Sequence, residues 1–118
     1  MCKIDDLIGI PYKDNGRDLN GIDCYGLVLL IAERNGIKIP DLQYTNCDLN
    51  LSDEYVPTLP VKETNLLEEN TILEMECKGS LHLGIAINKK EFIHATKNGV
   101  RINKIGALKI RKMYKWDL

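Results

Sequence analysis

The stretch at residues 21–36, GIDCYGLVLLIAERNG, joins a turn-rich segment to an apolar pattern with helical spacing. Its inward-facing positions recur at the i, i+3, i+4 and i+7 spacing of one helix face, at Cys24, Leu27, Val28 and Ile31. Asp23 suits the N-cap position, and Asn35 with Gly36 is typical of a helix end. The sequence therefore predicts a helix that begins at Cys24 and packs on a sheet through the side that carries the sulfur.

Cys24 lies at the predicted start of a helix, a position that lowers the pKa of a thiol. The unpaired N–H groups of the first turn and the positive end of the helix dipole favour a thiolate, which lowers a thiol pKa from about 8.5 toward neutrality. The chain has only two histidines, His82 in LHLGIAI and His94 in EFIHA. A nucleophilic thiol needs an imidazole to move its proton and a third group to hold that imidazole. We therefore expect a cysteine hydrolase with Cys24 as nucleophile, His82 as base and His94 as third member.

From Thr71 onward the sequence changes to the period of two that is typical of strands. Five segments show this period: TILEMEC, LHLGIAI, EFIHA, VRINKI and LKIRKMYKW. They predict an antiparallel meander, and a helix followed by such a sheet makes an α+β domain.

The remaining segments are less regular. Residues 4–8 suit one helical turn, and residues 9–21 are rich in Gly, Pro, Asn and Asp and predict a loop. Residues 40–70 predict an irregular excursion beside the cleft, with a short helix near Leu66.

The two histidines meet in only one register of the hairpin that joins their strands. On the first strand His82 and Gly84 point to the same side, and the small side chains beside His82 leave room for the helix start and a substrate. If Ile87 pairs with Glu91 across a three-residue loop, Gly84 lies opposite His94 and both histidines share one side of the sheet. A two-residue loop would place the histidines on opposite sides. The candidate site therefore requires an odd loop register, such as that of the three-residue loop, which the sequence permits.

Length and composition bound the class of protein. A chain of 118 residues, 44% hydrophobic and 28% charged, can bury a core without disulfides or metal, so we expect a single catalytic domain over residues 1–118. No run approaches the roughly 18 apolar residues of a membrane span. The N-terminal residues contain no long apolar core, so we expect no signal peptide and synthesis in the cytoplasm.

Charge is distributed unevenly along the chain. Residues 1–87 carry 7 basic and 15 acidic side chains, whereas residues 88–118 carry 9 and 2. Alternating lysines keep exposed strand faces soluble, and no nucleic-acid motif is present, so we expect no nucleic-acid partner. A nucleic-acid-binding module is the alternative, and it would show strongly salt-dependent binding.

The four cysteines, Cys2, Cys24, Cys47 and Cys77, form no CxxC pair and have no histidine at finger-type spacing, which disfavours structural zinc. Free thiols fit this composition better than disulfides, and Cys77 fits a core position. A zinc site built from Cys24, His82 and His94 would lack a fourth ligand and would quench the nucleophile. We therefore expect neither metal nor cofactor.

The segments IGIPYKDNGRDLNGIDCYGLV, HLGIAIN and FIHATKNGVRI occur in the same order as in the NlpC/P60 family of cysteine peptidases. The chain resembles that family over almost its whole length. The resemblance implies a papain-like core with Cys24 as nucleophile, His82 as general base and acid, and His94 as orienting residue. It also implies that Tyr12 lies beside the cysteine and shapes the oxyanion region, where the backbone N–H of Cys24 is a further donor.

Two positions depart from the family pattern. The common DCSG is DCYG here, and the usual double glycine after the tyrosine is Asn15 and Gly16. Tyr25 replaces a serine that in some members touches the amino end of the substrate, and we expect Tyr25 and Asp23, with Tyr12, on the substrate-binding side of the site. The DCYG form resembles members encoded by phages, which act in tail assembly or local wall penetration.

The resemblance implies a peptidase that hydrolyses an amide bond in peptidoglycan stem peptides, the bond between γ-D-glutamate and the diamino acid, through a thioester on Cys24. An amidase or acyltransferase on another substrate would use the same residues. The alternative from another class is a structural phage-tail component with an unused triad. The expected partners are the stem peptide and, in a phage setting, tail proteins, with the chain virion-associated or released.

Overall fold

The computed structural model describes residues 2–43 and 51–118. Two α-helices lie in these ranges, α1 at Cys24–Arg34 and α2 at Leu51–Tyr55. A small hairpin is formed by β1, Arg17–Asp18, and β2, Gly21–Ile22. The large sheet of the described residues has six strands: β3 Val61–Glu63, β4 Ile72–Cys77, β5 Ser80–Ala86, β6 Glu91–Thr96, β7 Gly99–Lys104 and β8 Lys109–Trp116. The predicted α+β class is confirmed.

Helix α1 begins and ends where the sequence predicts. The carboxylate of Asp23 accepts a hydrogen bond from the N–H of Gly26, which satisfies one donor of the first turn. At the other end the N–H of Asn35 donates to carbonyls of the last turn, and Gly36 follows with a φ of 78°, which favours glycine. Both predicted caps are confirmed.

The apolar side of α1 packs on one face of the large sheet. Leu27, Val28 and Ile31 share a buried cluster with Ile85 of β5 and Ile93 of β6. Full burial of such a side chain contributes about 1.5–3 kcal/mol. Tertiary packing of this kind, more than helix propensity, stabilises an 11-residue helix.

The strand order of the large sheet is β3-β8-β4-β5-β6-β7, and the neighbouring strands are antiparallel. Strands β4 to β7 form the predicted meander, but β8 pairs with β4, so the meander prediction is wrong for the last strand. The connection after β7 carries Ile105 and Leu108, which pack on the buried cluster of Leu73, Met75 and Phe92. Burial of these two side chains takes the chain back across that face of the sheet and brings β8 beside β4.

The β5–β6 hairpin has the register that the candidate site requires. Gly84 pairs with His94, and the N–H of Ile87 donates to the carbonyl of Glu91 at 2.9 Å. The prediction that His82 and His94 share one side of the sheet is therefore confirmed.

The pairing between β5 and β6 covers only part of each strand. It runs from Gly84 with His94 to Ala86 with Phe92, although β5 begins at Ser80 and β6 continues to Thr96. The two strands therefore part beyond the Gly84–His94 pair, on the side where His82 lies.

Gly84, two residues after His82, is closely packed by neighbouring atoms. A Cβ atom at Gly84 would lie 3.0 Å from the carbonyl oxygen of Ile93, 3.0 Å from Cε of Met75 and 3.1 Å from Cδ2 of Phe92. The expectation that this small residue leaves room for the helix start and a substrate is wrong, because core side chains and the neighbouring strand occupy that space.

The irregular segments were predicted in part. Residues 5–7 form a 3₁₀ turn, as expected, whereas the predicted loop at 9–21 contains β1 and the start of β2. The short helix of the 40–70 excursion lies at Leu51–Tyr55, and the prediction of a helix near Leu66 is wrong. Residues 44–50, with Cys47, lie outside the described residues.

Side-chain hydrogen bonds explain the irregular backbone near Leu66. The hydroxyl of Thr64 accepts from the N–H of Leu66, and the hydroxyl of Thr71 accepts from the N–H of Glu68. These bonds offer the backbone an alternative to helical pairing.

In the described ranges, no helix combines the length and the apolar character that crossing a bilayer would need.

Candidate active site

Cys24 is the first residue of α1 and is 4% exposed. The residue before it, Asp23, is 0% exposed. Its two carboxylate oxygens accept from the backbone N–H groups of Gly26 and Asn15, each at 2.8 Å. The loop before the helix and the first helical turn are thus tied together at the residue that precedes the sulfur.

Arg17 compensates the buried charge of Asp23. Its Nη1 donates to Asp23 at 2.7 Å, and its Nε donates to Asp41 at 2.7 Å. The same guanidinium donates to the carbonyls of Gly16 and Leu42. Arg17 therefore links the helix start to the loop before it and to the segment beyond the end of α1.

The two histidines are joined directly. His82 Nε2 and His94 Nδ1 lie 2.8 Å apart, and the other ring nitrogen of His94, Nε2, lies 2.6 Å from Oδ1 of Asn103 on β7. The ring of Phe92 contacts His94 with centroids 4.6 Å apart. His94 is 5% exposed, so its ring is held by packing as well as by hydrogen bonds.

One cleft of about 670 Å³ is lined by all three residues of the predicted triad. Its lining includes Cys24, His82 and His94 together with Tyr12 and Asn103. The cleft lies where β5 and β6 part, so the helix start on one face of the sheet and the imidazoles on the other face border the same space. The structure thus brings together the three residues predicted as a triad.

Burial keeps both imidazoles neutral at neutral pH. Burial first, and then the charge that His94 can carry, lower the pKa of His82 to about 4. Burial also lowers the pKa of His94, against the opposing effect of its hydrogen bond to Asn103. A neutral imidazole can accept a proton from a thiol.

Tyr12 lines the same cleft and is positioned by a parallel bridge to Ile22 of β2. Burial first, and then the negative charge that Cys24 carries as a thiolate, raise the pKa of Tyr12. Its hydroxyl therefore keeps its proton and can act as a hydrogen-bond donor beside the sulfur.

The residues that line this cleft do not include Asp23 or Tyr25. Asp23 caps α1 with a fully buried carboxylate. Tyr25 is 5% exposed, and its hydroxyl donates to the carbonyl of Pro40 at 2.7 Å. Both side chains support the helix start, and Tyr25 also lines a second cavity together with Cys24. The placement of Asp23 and Tyr25 on the substrate-binding side stays a prediction.

The sequence does not predict two contacts of the site, those of Arg17 and Asn103. An isolated arginine in a loop and an asparagine in a basic strand carry no local signal, because their partners lie in other elements.

Cys77 differs from the expectation of a core position: it is half-buried and lines the cleft. Cys2, Cys24 and Cys77 form no disulfide among the described residues. The described residues contain no group of three His, Cys, Asp or Glu side chains that could hold a metal ion.

Comparison with known proteins gives a consistent result. The model of the NlpC/P60 family matches residues 9–116. The protein named Murein DD-endopeptidase MepS/Murein LD-carboxypeptidase, from Escherichia coli strains K12 and O157:H7, is 29% identical over 116 residues, covering 97% of this chain and 57% of that protein. The chain thus spans less than two thirds of the length of these relatives.

A solved structure shares the fold. The NlpC/p60 domain of the peptidoglycan hydrolase SagA has a TM-score of 0.66 and 19% identity, over 92% of this chain and 89% of that chain. Because the family model covers most of the sequence, the resemblance noted in the sequence is confirmed, and the chain belongs to the NlpC/P60 family.

Proposed function

We propose that this chain is a peptidoglycan hydrolase of the cysteine type, with Cys24 as nucleophile, His82 as general base and acid, and His94 as the residue that orients His82. The observation that carries the proposal is the shared cleft. A cysteine at a helix start and two hydrogen-bonded imidazoles line it, within a chain of the NlpC/P60 family. Because His82 uses Nε2 toward His94, its Nδ1 is left for the thiol.

In the proposed reaction, neutral His82 accepts the proton of Cys24 as the sulfur attacks the carbonyl carbon of an amide. The N–H groups at the start of α1 and the Tyr12 hydroxyl donate to the developing oxyanion. The C–N bond then breaks, the leaving amine takes the proton from His82, and the acyl group remains on Cys24 as a thioester. Water loses a proton to His82, attacks the thioester and releases a carboxylic acid and the thiol.

The proposed substrate is the stem peptide of peptidoglycan. Two similarities support it: the E. coli relative is named for murein peptide cleavage, and the solved neighbour is named as a peptidoglycan hydrolase. The charge of the cleft agrees, because its described lining includes Lys78 and Lys97 and no Asp or Glu. Stem peptides carry carboxylates, which lysines complement.

For the scissile bond, we propose the amide between γ-D-glutamate and the diamino acid. The D,D cross-link is the second candidate, because the E. coli relative is named as a DD-endopeptidase. Mass spectrometry of products from purified peptidoglycan distinguishes the two. Cleavage after γ-D-glutamate gives fragments that end in that residue, whereas D,D cleavage separates cross-linked dimers into monomers.

Cys24→Ala and His82→Ala test the proposed roles. Each should lower release of stem-peptide fragments by more than about 1000-fold, because nucleophile and base act as a unit. Circular dichroism should show an unchanged fold, and Cys2→Ala, outside the described cleft lining, is the control that keeps parent turnover. Parent-rate release by Cys24→Ala would contradict the proposal. Turnover of simple acyl substrates alone would indicate an amidase or acyltransferase, and no turnover of either would indicate an unused site.

A further inference from the structure

We propose that Asn103 is a positioning residue that fixes the tautomers of both histidines and so decides which nitrogen of His82 acts on Cys24. This inference rests on the base role proposed for His82. Oδ1 of Asn103 lies 2.6 Å from His94 Nε2, and His94 Nδ1 lies 2.8 Å from His82 Nε2. The three side chains form one line of hydrogen bonds from the edge strand β7 to the cleft.

The donor or acceptor capacity of each atom sets the direction of these hydrogen bonds. An amide oxygen only accepts, so His94 Nε2 carries the hydrogen that it donates to Asn103. A neutral imidazole carries one N–H, so His94 Nδ1 is bare and accepts from Nε2–H of His82. Nδ1 of His82 is then the nitrogen that can take a proton from Cys24.

The opposite direction would disable the base. With its hydrogen on Nδ1, His94 would donate to His82 Nε2, and His82 would present an N–H to the sulfur. Two neutral imidazoles alone leave both directions open, because either ring can donate. A water molecule in place of the Asn103 oxygen would not choose between them, since water both donates and accepts. In the orientation that the structure shows, Asn103 presents Oδ1 rather than Nδ2 to His94 Nε2, and this contact selects one direction.

Among the groups around His94, Asn103 is the one that determines which ring nitrogen of His94 carries the hydrogen. His94 is 5% exposed, and Asn103 sits diagonally across from it, since β7 pairs Arg101 with His94 and Asn103 with Phe92. The other titratable groups that face His94 or line its cleft in the described chain are His82, Arg101, Tyr12, Cys24, Cys77, Lys78 and Lys97. None of these is a carboxylate, so the Asn103 amide is the acceptor that the described site provides for His94 Nε2.

NMR of the full chain with ¹⁵N-labelled histidine tests the assignment, because the ring nitrogens report which of them carries the hydrogen. In the parent at pH 8, both rings should be Nε2–H tautomers. Asn103→Leu keeps the size of the side chain without the acceptor and should give mixed tautomers in both rings. Lys104→Leu changes the adjacent exposed position of β7 and is the control that keeps the parent spectrum.

Turnover against pH gives a second readout. Asn103→Leu should lower kcat by about 2-fold or more with little change in KM, because only the fraction of molecules that hold His82 as the Nε2–H tautomer is active. Asn103→Asp restores an acceptor and should restore the Nε2–H tautomers at pH 8. A carboxylate there also raises the pKa of His94, so this variant should lose activity at a higher pH than the parent on the acid side.

Parent tautomers and a parent kcat in Asn103→Leu would overturn the inference. A failure of Asn103→Asp to restore the Nε2–H form would overturn it as well. The NMR readout needs no substrate, so the outcomes separate: correct tautomers in a chain that leaves peptidoglycan uncut would contradict the proposed function and leave the role of Asn103 standing.

Discussion

At the residue scale, burial of His82 ties the stability of the fold to pH. The pKa of His82 falls from 6.5 to about 4, so between these values the unfolded chain binds a proton that the folded chain does not. The free energy of unfolding should therefore decrease as pH falls through this window, by about 3 kcal/mol when complete. His82→Gln stays neutral and can still donate to His94, so it should lose less stability between pH 6.5 and pH 4. Urea unfolding at a series of pH values measures both slopes, and equal slopes would show that His82 does not titrate in this way.

Two arginine pairs of different burial give a matched comparison. The side chain of Arg17 is 14% exposed and binds the side chain of Asp23, which is 1% exposed, so Arg17→Met leaves a buried carboxylate without this cation. We expect a loss of about 3 kcal/mol in the free energy of unfolding. Arg34→Met removes the pair with Asp6, in which the Arg34 side chain is 25% and the Asp6 side chain 40% exposed, and it should cost far less. Urea denaturation of the two variants compares them directly, and equal losses would exclude the role given to Arg17.

At the element scale, local sequence determined most of what could be predicted. The start of α1 at Cys24 follows from its cap and apolar stripe, whereas the sequence restricts the register of β5 and β6 to a few loop lengths without choosing among them. The placement of β8 beside β4 could not be predicted, because it depends on Ile105 and Leu108 packing on a cluster formed by distant strands. The hydrogen bond from His94 to Asn103 was missed for the same reason, since it joins two strands whose register the sequence leaves open.

Gly84 tests how closely β5 and β6 must pack to hold the histidines. In Gly84→Ala the new methyl group would lie 3.0 Å from the carbonyl oxygen of Ile93, which the strand pairing fixes, and 3.1 Å from the ring of Phe92. We expect a loss of about 1 kcal/mol or more in the free energy of unfolding, because crowding exceeds the usual gain from replacing a strand glycine. Turnover should also fall, because Phe92 contacts the ring of His94. A variant more stable than the parent, with parent turnover, would show that the gap has room for a methyl group.

At the scale of the whole molecule, the charge of the cleft differs from that of the chain. The sequence carries a net charge of -1, yet Lys78 and Lys97 line the cleft and no acidic side chain of the described residues does. The two lysines lie in the β4–β5 and β6–β7 turns, on either side of the imidazole pair. Strand connections at one end of the sheet thus give a weakly acidic protein a basic site.

The double variant Lys78→Gln/Lys97→Gln tests whether this charge selects the substrate. For stem peptides with free carboxylates, KM should rise by about 3- to 10-fold at low salt and less at high salt, whereas kcat should change little. Amidated stem peptides should show no such change. Lys112→Gln/Lys115→Gln on β8 makes the same change in net charge outside the cleft lining and serves as the control. Equal KM values for the two double variants would show that the cleft lysines do not recognise carboxylates.

Cys24 is the proposed reacting group, and site-resolved alkylation tests this role most directly. The chain is treated with iodoacetamide at pH 7, the modified fraction of each cysteine is read by peptide mass spectrometry, and peptidoglycan turnover is measured on the same samples. Cys24 should react before Cys2 and Cys77, and turnover should fall in proportion to its modification. A chain whose Cys24 is fully alkylated and which still cuts peptidoglycan at the parent rate would contradict the account.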